Sequence, residues 1–159
     1  MMANILNTLV GTWKLLNYEM TILSGSDEIG STIHPAGISP LGRIVFTKDS
    51  YMSVLVTRSA TNAESAYSPW NVATDDEVLR VARPMVTYCG RFHVIRDEKE
   101  TYLSTQVAIS LDPSWMGTKQ TRKVYLEEED GRSLLTLRPV QNFELPVSEL
   151  RSTEKSRII

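Results

Sequence analysis

The stretch 10-VGTWKLLNYEMTI-22 alternates like a β-strand, but its apolar face does not stay apolar. Trp13 and Leu15 share one face, and the same phase continues into Asn17 and Glu19. Two interpretations are open. Either a bulge after Leu16 turns the next residues over, or the strand faces an interior wet enough to hold an amide and a carboxylate, because an ionised carboxylate is costly in a dry core.

Short runs with strand character recur along the rest of the chain, separated by turn residues. Two of them flank the turn residues KDS in 43-RIVFTKDSYMSVLVTR-58, which predicts a hairpin. The later runs are 86–97, 101–111, 119–129, 133–140 and 149–158. About eight strands are predicted in one all-β domain spanning 1–159. A closed antiparallel up-and-down barrel is the economical arrangement, because closure removes exposed strand edges.

One short helix is predicted in 74-TDDEVLRVARPMV-86, with Thr74 as N-cap, three acidic residues in the first turn and Pro84 at the end. The polar stretch before it, 59-SATNAESAYSPWNVAT-74, is long for a loop inside a compact domain. It is either a lid that brings Trp70 to a binding site or an inert surface excursion.

Composition excludes several classes of protein. The net charge is -2 and the basic residues are scattered, so neither nucleic acid nor an anionic membrane surface is an expected partner. The single cysteine, Cys89, rules out an intrachain disulfide. No apolar run reaches the roughly 20 residues of a membrane span, and the start lacks the pattern of a signal peptide, so an intracellular, cytoplasmic location is expected.

No cofactor is expected. The chain has two histidines, His34 and His93, and no cysteine cluster, which disfavours a zinc site of the usual kind. No glycine-rich phosphate-binding loop precedes the helix, and no Gly-x-Ser-x-Gly motif is present.

Inside such a barrel, alternate residues of each strand would line a lumen that can hold a small ligand. In 119-KQTRKVYLEEE-129, Gln120 and Arg122 share the phase of two apolar residues and are predicted to lie near the mouth. Glu19 is the natural partner of Arg122. The pair either offers guanidinium donors to a substrate carbonyl or is a purely structural ion pair. Trp13 is expected at the floor of the lumen, packed against Lys155 or Arg157.

The strand 86–97 leaves its phase open. His93 shares one face with Cys89, and Tyr88 lies on the opposite face. His93 is a candidate proton donor or acceptor if it faces inward, and a surface or packed histidine otherwise. Further candidates for a substrate-binding wall are residues with an apolar body or a polar tip, together with the amide Asn17. They are Tyr51, Ser53, Tyr88, Tyr102, Trp115 and Trp70.

Several stretches together resemble the lipocalin-like domain family of small barrels. They are 9-LVGTWKLLNYEM-20, 41-LGRIVFTKDSYMSVLV-56, 87-TYCGRFHVI-95 and 112-DPSWMGTKQTRKVYL-126 followed by LLTL. Many relatives have a histidine in the strand before the Pro-x-Trp-x-Gly loop, where this chain has Ser104, Thr105 and Gln106. A mechanism that needs that imidazole is therefore not implied here.

The resemblance implies a small-molecule site. Barrels of this broad kind occur in secondary-metabolite clusters of filamentous fungi, and some act as cyclases, isomerases or Diels–Alder catalysts without a cofactor. The first hypothesis is therefore such an enzyme, acting on a small hydrophobic, polyketide- or terpenoid-like substrate. In a pericyclic version Arg122 or a tyrosine polarises a carbonyl, and in an acid–base version Glu19 or His93 moves a proton. The alternatives are a non-catalytic carrier of a small hydrophobic ligand and a filled barrel that only mediates protein contacts, for example as a homodimer.

Overall fold

The computed structural model describes residues 2–23, 29–59, 68–140, 143–144 and 151–158. Within these residues two α-helices, one 3-10 turn and ten strands are present. The helices are α1 (Met2–Leu9) and α2 (Asp75–Ala82), and the 3-10 turn is Pro113–Trp115. The strands are β1 (Gly11–Leu23), β2 (Ile29–Ile33), β3 (Leu41–Phe46), β4 (Tyr51–Thr57), β5 (Val86–Arg96), β6 (Thr101–Ser110), β7 (Lys119–Glu129), β8 (Arg132–Pro139), β9 (Phe143–Glu144) and β10 (Arg151–Ile158). No helix among the described residues combines the length and apolar character needed to cross a membrane.

Eight of the strands form a curled antiparallel sheet around the core. They follow the order β1, β3, β4, β5, β6, β7, β8 and β10, while β2 pairs with β1 and β9 pairs with β10. The first residues of β1 pair with β3, and β1 pairs with β10 from Leu15 onward. The prediction of a mostly β, antiparallel, lipocalin-like fold is confirmed.

A bulge explains why the inward face of β1 changes along the strand. The register of β1 against β10 shifts between Leu15 and Asn17. Because side chains alternate along a strand, one extra residue exchanges the two faces. Trp13 and Leu15 are therefore buried before the bulge, and Tyr18, 8% exposed, is buried after it.

One end of the sheet is covered by α1, which the sequence had not predicted. Ile5 and Leu6 pack against the core, and Leu9 is fully buried. The indole Nε1 of Trp13 donates a hydrogen bond to the carbonyl oxygen of Leu9 at 2.8 Å, which satisfies a backbone acceptor at the end of the helix. Trp13 thus has the inward position expected of it. The side chains of Lys155 and Arg157, its predicted partners, lie outside the described residues.

The predicted helix is present as α2, with the expected cap. The backbone N–H and the hydroxyl of Thr74 both donate to the Glu77 carboxylate, and the N–H of Glu77 donates back to the Thr74 hydroxyl. This is a capping box. The helix contains no buried residue, and Leu79 is 44% exposed, so its apolar stripe does not fill the core.

The long connections all begin at the other end of the sheet. Strands β1, β4, β6 and β8 run away from α1, so the segments after each of them start at the same end, which we call the cavity end. The turns at the α1 end are short hairpin connections. Residues 60–67, part of the predicted lid, lie outside the described residues.

Candidate functional site

A cavity opens between the strands toward the cavity end of the sheet. The cavity has a volume of about 60 Å³. It is lined by Leu15, Tyr18, Arg43, Ile44, Val54, Val56, Val86, Tyr88, Trp115, Arg122 and Leu137. The third interpretation, a filled barrel with no cavity, is therefore wrong.

Most of the wall is aliphatic because the inward positions of neighbouring strands carry branched residues. Ile44 of β3 pairs with Val54 of β4, and Val56 of β4 pairs with Val86 of β5. The hydrogen-bonded ladders fix these side chains on the same face as the core. A pocket with such a wall favours an apolar ligand.

Arg122 places a cation in this apolar wall. It lies on β7 between inward-facing Gln120 and Val124, and its side chain is 8% exposed. Its Nη1 donates to Oε1 of Gln120 at 3.3 Å and to the carbonyl oxygen of Thr121 at 3.2 Å. These contacts orient the guanidinium, which presents several donors in a planar fork.

The aromatic part of the wall comes from Tyr88 and Trp115. The two rings meet edge to face, with centroids 5.4 Å apart. Trp115 is held by the 3-10 turn, where Asp112 Oδ1 accepts hydrogen bonds from the N–H and the hydroxyl of Ser114. The same hydrogen bonds lower the pKa of Asp112, so the carboxylate that shapes the turn is ionised at neutral pH.

The charged residues that the structure describes at the cavity are both arginines. Among the described residues that line it, Arg43 and Arg122 are cationic, and none is acidic or a histidine. Arg43 donates from Nη1 to the carbonyl oxygen of Gly42 at 2.8 Å. The cavity therefore favours a molecule that carries an electron-rich oxygen on a mostly apolar frame.

Three residues predicted from the sequence lie together in this wall: Arg122, Tyr88 and Trp115. Gln120 is half-buried beside them and supports Arg122, although it is not part of the lining. These residues come from β5, from β7 and from the connection between β6 and β7.

The prediction that Asn17 and Glu19 project into the lumen is wrong. After the bulge in β1, Tyr18 takes the inward position and lines the cavity, while its two neighbours fall on the other face. There Nδ2 of Asn17 donates to Oε2 of Glu19 at 2.9 Å. The proposed role of a lumenal pair between Arg122 and Glu19 falls with this placement.

Three further residues that the sequence predicts for the site lie on the outward face of β4 and β5. His93 is exposed, because Phe92 next to it occupies the inward position at 1% exposure. Ser53 is exposed and pairs with Cys89, while Tyr51 is half-buried on the same face. The hydroxyl of Tyr51 lies 3.4 Å from Sγ of Cys89. This hydrogen bond, together with partial burial, raises the pKa of Tyr51.

Tyr102 and Trp70 are also away from the cavity. Tyr102 lies opposite Lys123 in the ladder and next to inward-facing Leu103. Burial and the nearby Asp97 carboxylate raise the pKa of Tyr102. Trp70 is 59% exposed in the connection before α2. The structure brings neither residue to the lining.

Sequence reasoning missed Arg43 and most of the aliphatic wall. Apolar residues at every second position predict an inward face, and this signal could have found the wall. It is carried by Ile44 and Phe46 and by Met52, Val54 and Val56. Tyr18 follows from the bulge, which was only one of two interpretations.

Metal-binding side chains form no cluster in the part of the chain that the structure describes. No group of three or more His, Cys, Asp or Glu with suitable geometry occurs among the described residues.

A curled antiparallel sheet around a small apolar cavity defines a class of β-sheet proteins that hold small ligands inside the sheet. The sequence profile of the lipocalin-like domain family matches residues 10–155. The chain therefore belongs to the lipocalin-like domain family, whose fold generally binds small hydrophobic ligands. Searches of the curated proteins and of the solved structures gave no significant match.

Proposed function

We propose that the protein binds a small, mostly apolar molecule in the cavity and promotes its cyclisation or isomerisation without a cofactor. The observation that carries the proposal is Arg122, the largely buried one of two arginines in a wall whose other described residues are aliphatic or aromatic. A buried cation in an apolar cavity is costly unless it is hydrogen-bonded, and Gln120 and the Thr121 carbonyl accept hydrogen bonds from its Nη1. A guanidinium carries five N–H donors, so it can bind an oxygen of a ligand beside these contacts.

These residues suit a reaction that is promoted by hydrogen-bond donation and by the shape of the cavity rather than by proton transfer. Glu19 and His93 lie off the cavity, so an acid–base mechanism through them has no support from the geometry. A guanidinium that binds a carbonyl oxygen stabilises negative charge as it develops there, an effect of about 3–4 kcal/mol in comparable sites. The rigid rings of Tyr88 and Trp115 would hold the reactant in a folded conformation close to the transition state.

The substrate we propose is polyketide- or terpenoid-like and bears a carbonyl or enolate oxygen. A pericyclic reaction of the Diels–Alder type fits this set of residues, because it requires no nucleophile and no base. The cavity is small, so a long chain would extend past the cavity end, with its oxygen and reacting atoms beside Arg122.

The barrel itself is part of the proposal. We propose that the eight strands close into a barrel, and the pairing of β10 with both β1 and β8 supports closure. A closed wall would exclude water from the ligand and strengthen the hydrogen bond from Arg122.

A carrier of a small hydrophobic ligand is the second candidate. It is favoured by the aliphatic lining and by the absence of acidic and histidine side chains from the described lining. In a carrier, Arg122 would hold an oxygen of the ligand without changing the molecule.

One experiment separates the two functions. The compound that copurifies with the protein is identified by liquid chromatography and mass spectrometry. This compound and an isomeric precursor of it are then incubated separately with fresh protein. An enzyme of the proposed kind converts a precursor of this compound to an isomer of identical mass and different retention, since cyclisation and isomerisation conserve composition. The variant Arg122→Met should lose conversion, whereas Arg138→Met, the same change on an exposed arginine of β8, should not. A protein that binds the compound but isomerises neither the compound nor its precursor would leave the carrier function and contradict the enzyme.

A further inference from the structure

Four neighbouring strands, β3 to β6, present an outward face that is nearly free of charge. The register aligns its residues in rows that cross the strands. One row is Val45, Ser53, Cys89 and Ile109. The next is Arg43, Leu55 and Thr87. Directly opposite residues in a ladder have Cβ atoms about 4.5–5.5 Å apart, so these rows form one continuous surface. We call it the β3–β6 face.

The centre of the β3–β6 face is apolar and open to solvent. Val45 is 36% exposed, Leu55 47% and Ile109 65%. The outward positions of β3 to β6 carry no lysine, aspartate or glutamate. They carry two arginines in these rows, Arg43 opposite Leu55 and Arg91 opposite Tyr51. The outward face of β7 is different, since it carries Lys119, Lys123, Glu127 and Glu129.

This composition is that of a protein interface rather than of a solvated sheet. Interface centres are depleted in lysine, glutamate and aspartate and enriched in arginine and tyrosine. Four strands about 4.8 Å apart and six residues of about 3.3 Å each give a patch of roughly 300–400 Å², with Val45, Leu55 and Ile109 as its exposed large apolar side chains. That area leaves room for a polar rim within the roughly 800 Å² that each partner contributes to a stable interface.

We infer that a second copy of this chain packs on the β3–β6 face as a two-fold dimer. A two-fold axis that runs along the strands between β4 and β5 exchanges β3 with β6 and β4 with β5. Val45 then faces Ile109 of the second copy, and Arg91 faces Tyr51 of the second copy. Apolar side chains meet apolar ones, and the Arg91 cation meets an aromatic ring instead of a like charge. The face is therefore complementary to itself.

The dimer does not depend on the proposed function. The cavity is lined by inward side chains of β3, β4 and β5, whereas the β3–β6 face is the outward side of these strands, so the cavity stays accessible at its own end. Arg43 is the one residue that belongs to both the face and the described lining. Failure of the dimer would leave ligand binding untouched, and failure of ligand binding would leave the dimer untouched.

Sedimentation equilibrium of the full-length protein gives the first test. We expect a mass twice that of the chain. The variants Leu55→Asp and Ile109→Asp should each weaken the dimer at least about tenfold, because each replaces an apolar contact with a carboxylate that is costly to remove from water. Leu79→Asp is the matched control, since Leu79 lies on α2 with 44% exposure and should leave the mass unchanged.

The single cysteine gives a second test that needs no folding of a variant. Cys89 lies next to the inferred axis and would be covered in the dimer. Alkylation of Cys89 by a maleimide in the wild-type protein should therefore be slow at high protein concentration and faster on dilution. A protein that sediments as a monomer at every concentration, or a Cys89 alkylation rate that does not change on dilution, would overturn the inference. A dimer that persists unchanged in both aspartate variants would also overturn it.

Discussion

The rings of Tyr88 and Trp115 meet edge to face at an interplanar angle of 67°, and both line the cavity. Tyr88 lies on β5, whereas Trp115 lies in the 3-10 turn between β6 and β7. The contact therefore joins β5 to the connection that follows β6. It fixes the two rings against each other.

Replacing Trp115 with alanine should weaken binding of an apolar probe. The change removes a large apolar surface from the wall and the ring contact with Tyr88. We expect the dissociation constant for an aromatic probe such as 8-anilinonaphthalene-1-sulfonate to rise about tenfold or more. Fluorescence titration measures it. Trp70→Ala is the matched control, because Trp70 is 59% exposed and lies outside the lining. Equal effects of the two changes would contradict the assigned site.

Replacing Trp13 with phenylalanine tests the attachment of α1. Phenylalanine keeps most of the apolar contact but cannot donate to the Leu9 carbonyl. We expect the free energy of unfolding to fall by about 1–3 kcal/mol, since a buried acceptor loses its partner and a small void remains. Urea denaturation measures this. An unchanged midpoint would show that the indole hydrogen bond does not hold the helix.

A methyl group at Gly90 should disrupt the β5–β6 ladder. The register of these strands shifts between Cys89 and Gly90, and a Cβ at Gly90 would collide with the carbonyl group of Gln106. This carbonyl group belongs to the backbone and cannot rotate away. Gly90→Ala should therefore yield little folded protein. Gly131→Ala offers a comparison, since no atom lies within 4 Å of a Cβ there and the only cost is its positive φ of 71°. Similar yields of the two variants would contradict the assigned bulge.

The capping box of α2 should be sensitive to pH. The backbone N–H of Thr74, its hydroxyl and the hydroxyl of Ser68 hold the pKa of Glu77 below its ordinary value of 4.5. A carboxyl group whose pKa is lower in the folded state stabilises that state above its unfolded pKa. This stabilisation is lost as the pH falls through the folded pKa.

Amide-exchange protection factors for α2 should therefore fall at pH values below 4.5, while those of β5 stay high. Thr74→Ala should lower the α2 protection at neutral pH by about 1 kcal/mol and remove much of the pH dependence. Because α2 has no buried residue, global unfolding should change little. A pH-independent α2 in the wild-type protein would contradict the role of Glu77.

Much of the sheet could be predicted from the sequence, together with three of the eleven lining residues, Arg122, Tyr88 and Trp115. The phase of β7 was readable because Val124 and Leu126 fix the inward face, and this places Arg122 correctly. The cap of α2 was readable because Thr74 and Glu77 interact only with residues nearby in the chain.

The remaining errors have a common physical cause. In β1 a single bulged residue reverses every later side chain, and no local pattern distinguishes it from a wet interior. In β5 both faces carry aromatic or ring-bearing residues, so His93 could be placed only by the packing of Phe92. Helix α1 is eight residues long and depends on contacts of Leu9 with the core, which a short periodic pattern does not predict.

The central claim, that Arg122 binds an oxygen of a ligand in an apolar cavity, is tested most directly with two probes that share a ring system. 8-Anilinonaphthalene-1-sulfonate carries an anionic oxygen group, and N-phenyl-1-naphthylamine lacks it. In the wild-type protein the sulfonate should bind more tightly. Arg122→Met should raise the dissociation constant of the sulfonate about tenfold to a hundredfold, the range of a charge-assisted hydrogen bond. The dissociation constant of the neutral probe should stay unchanged. A variant that binds both probes as the wild-type protein does, or that loses both equally, would contradict the claim.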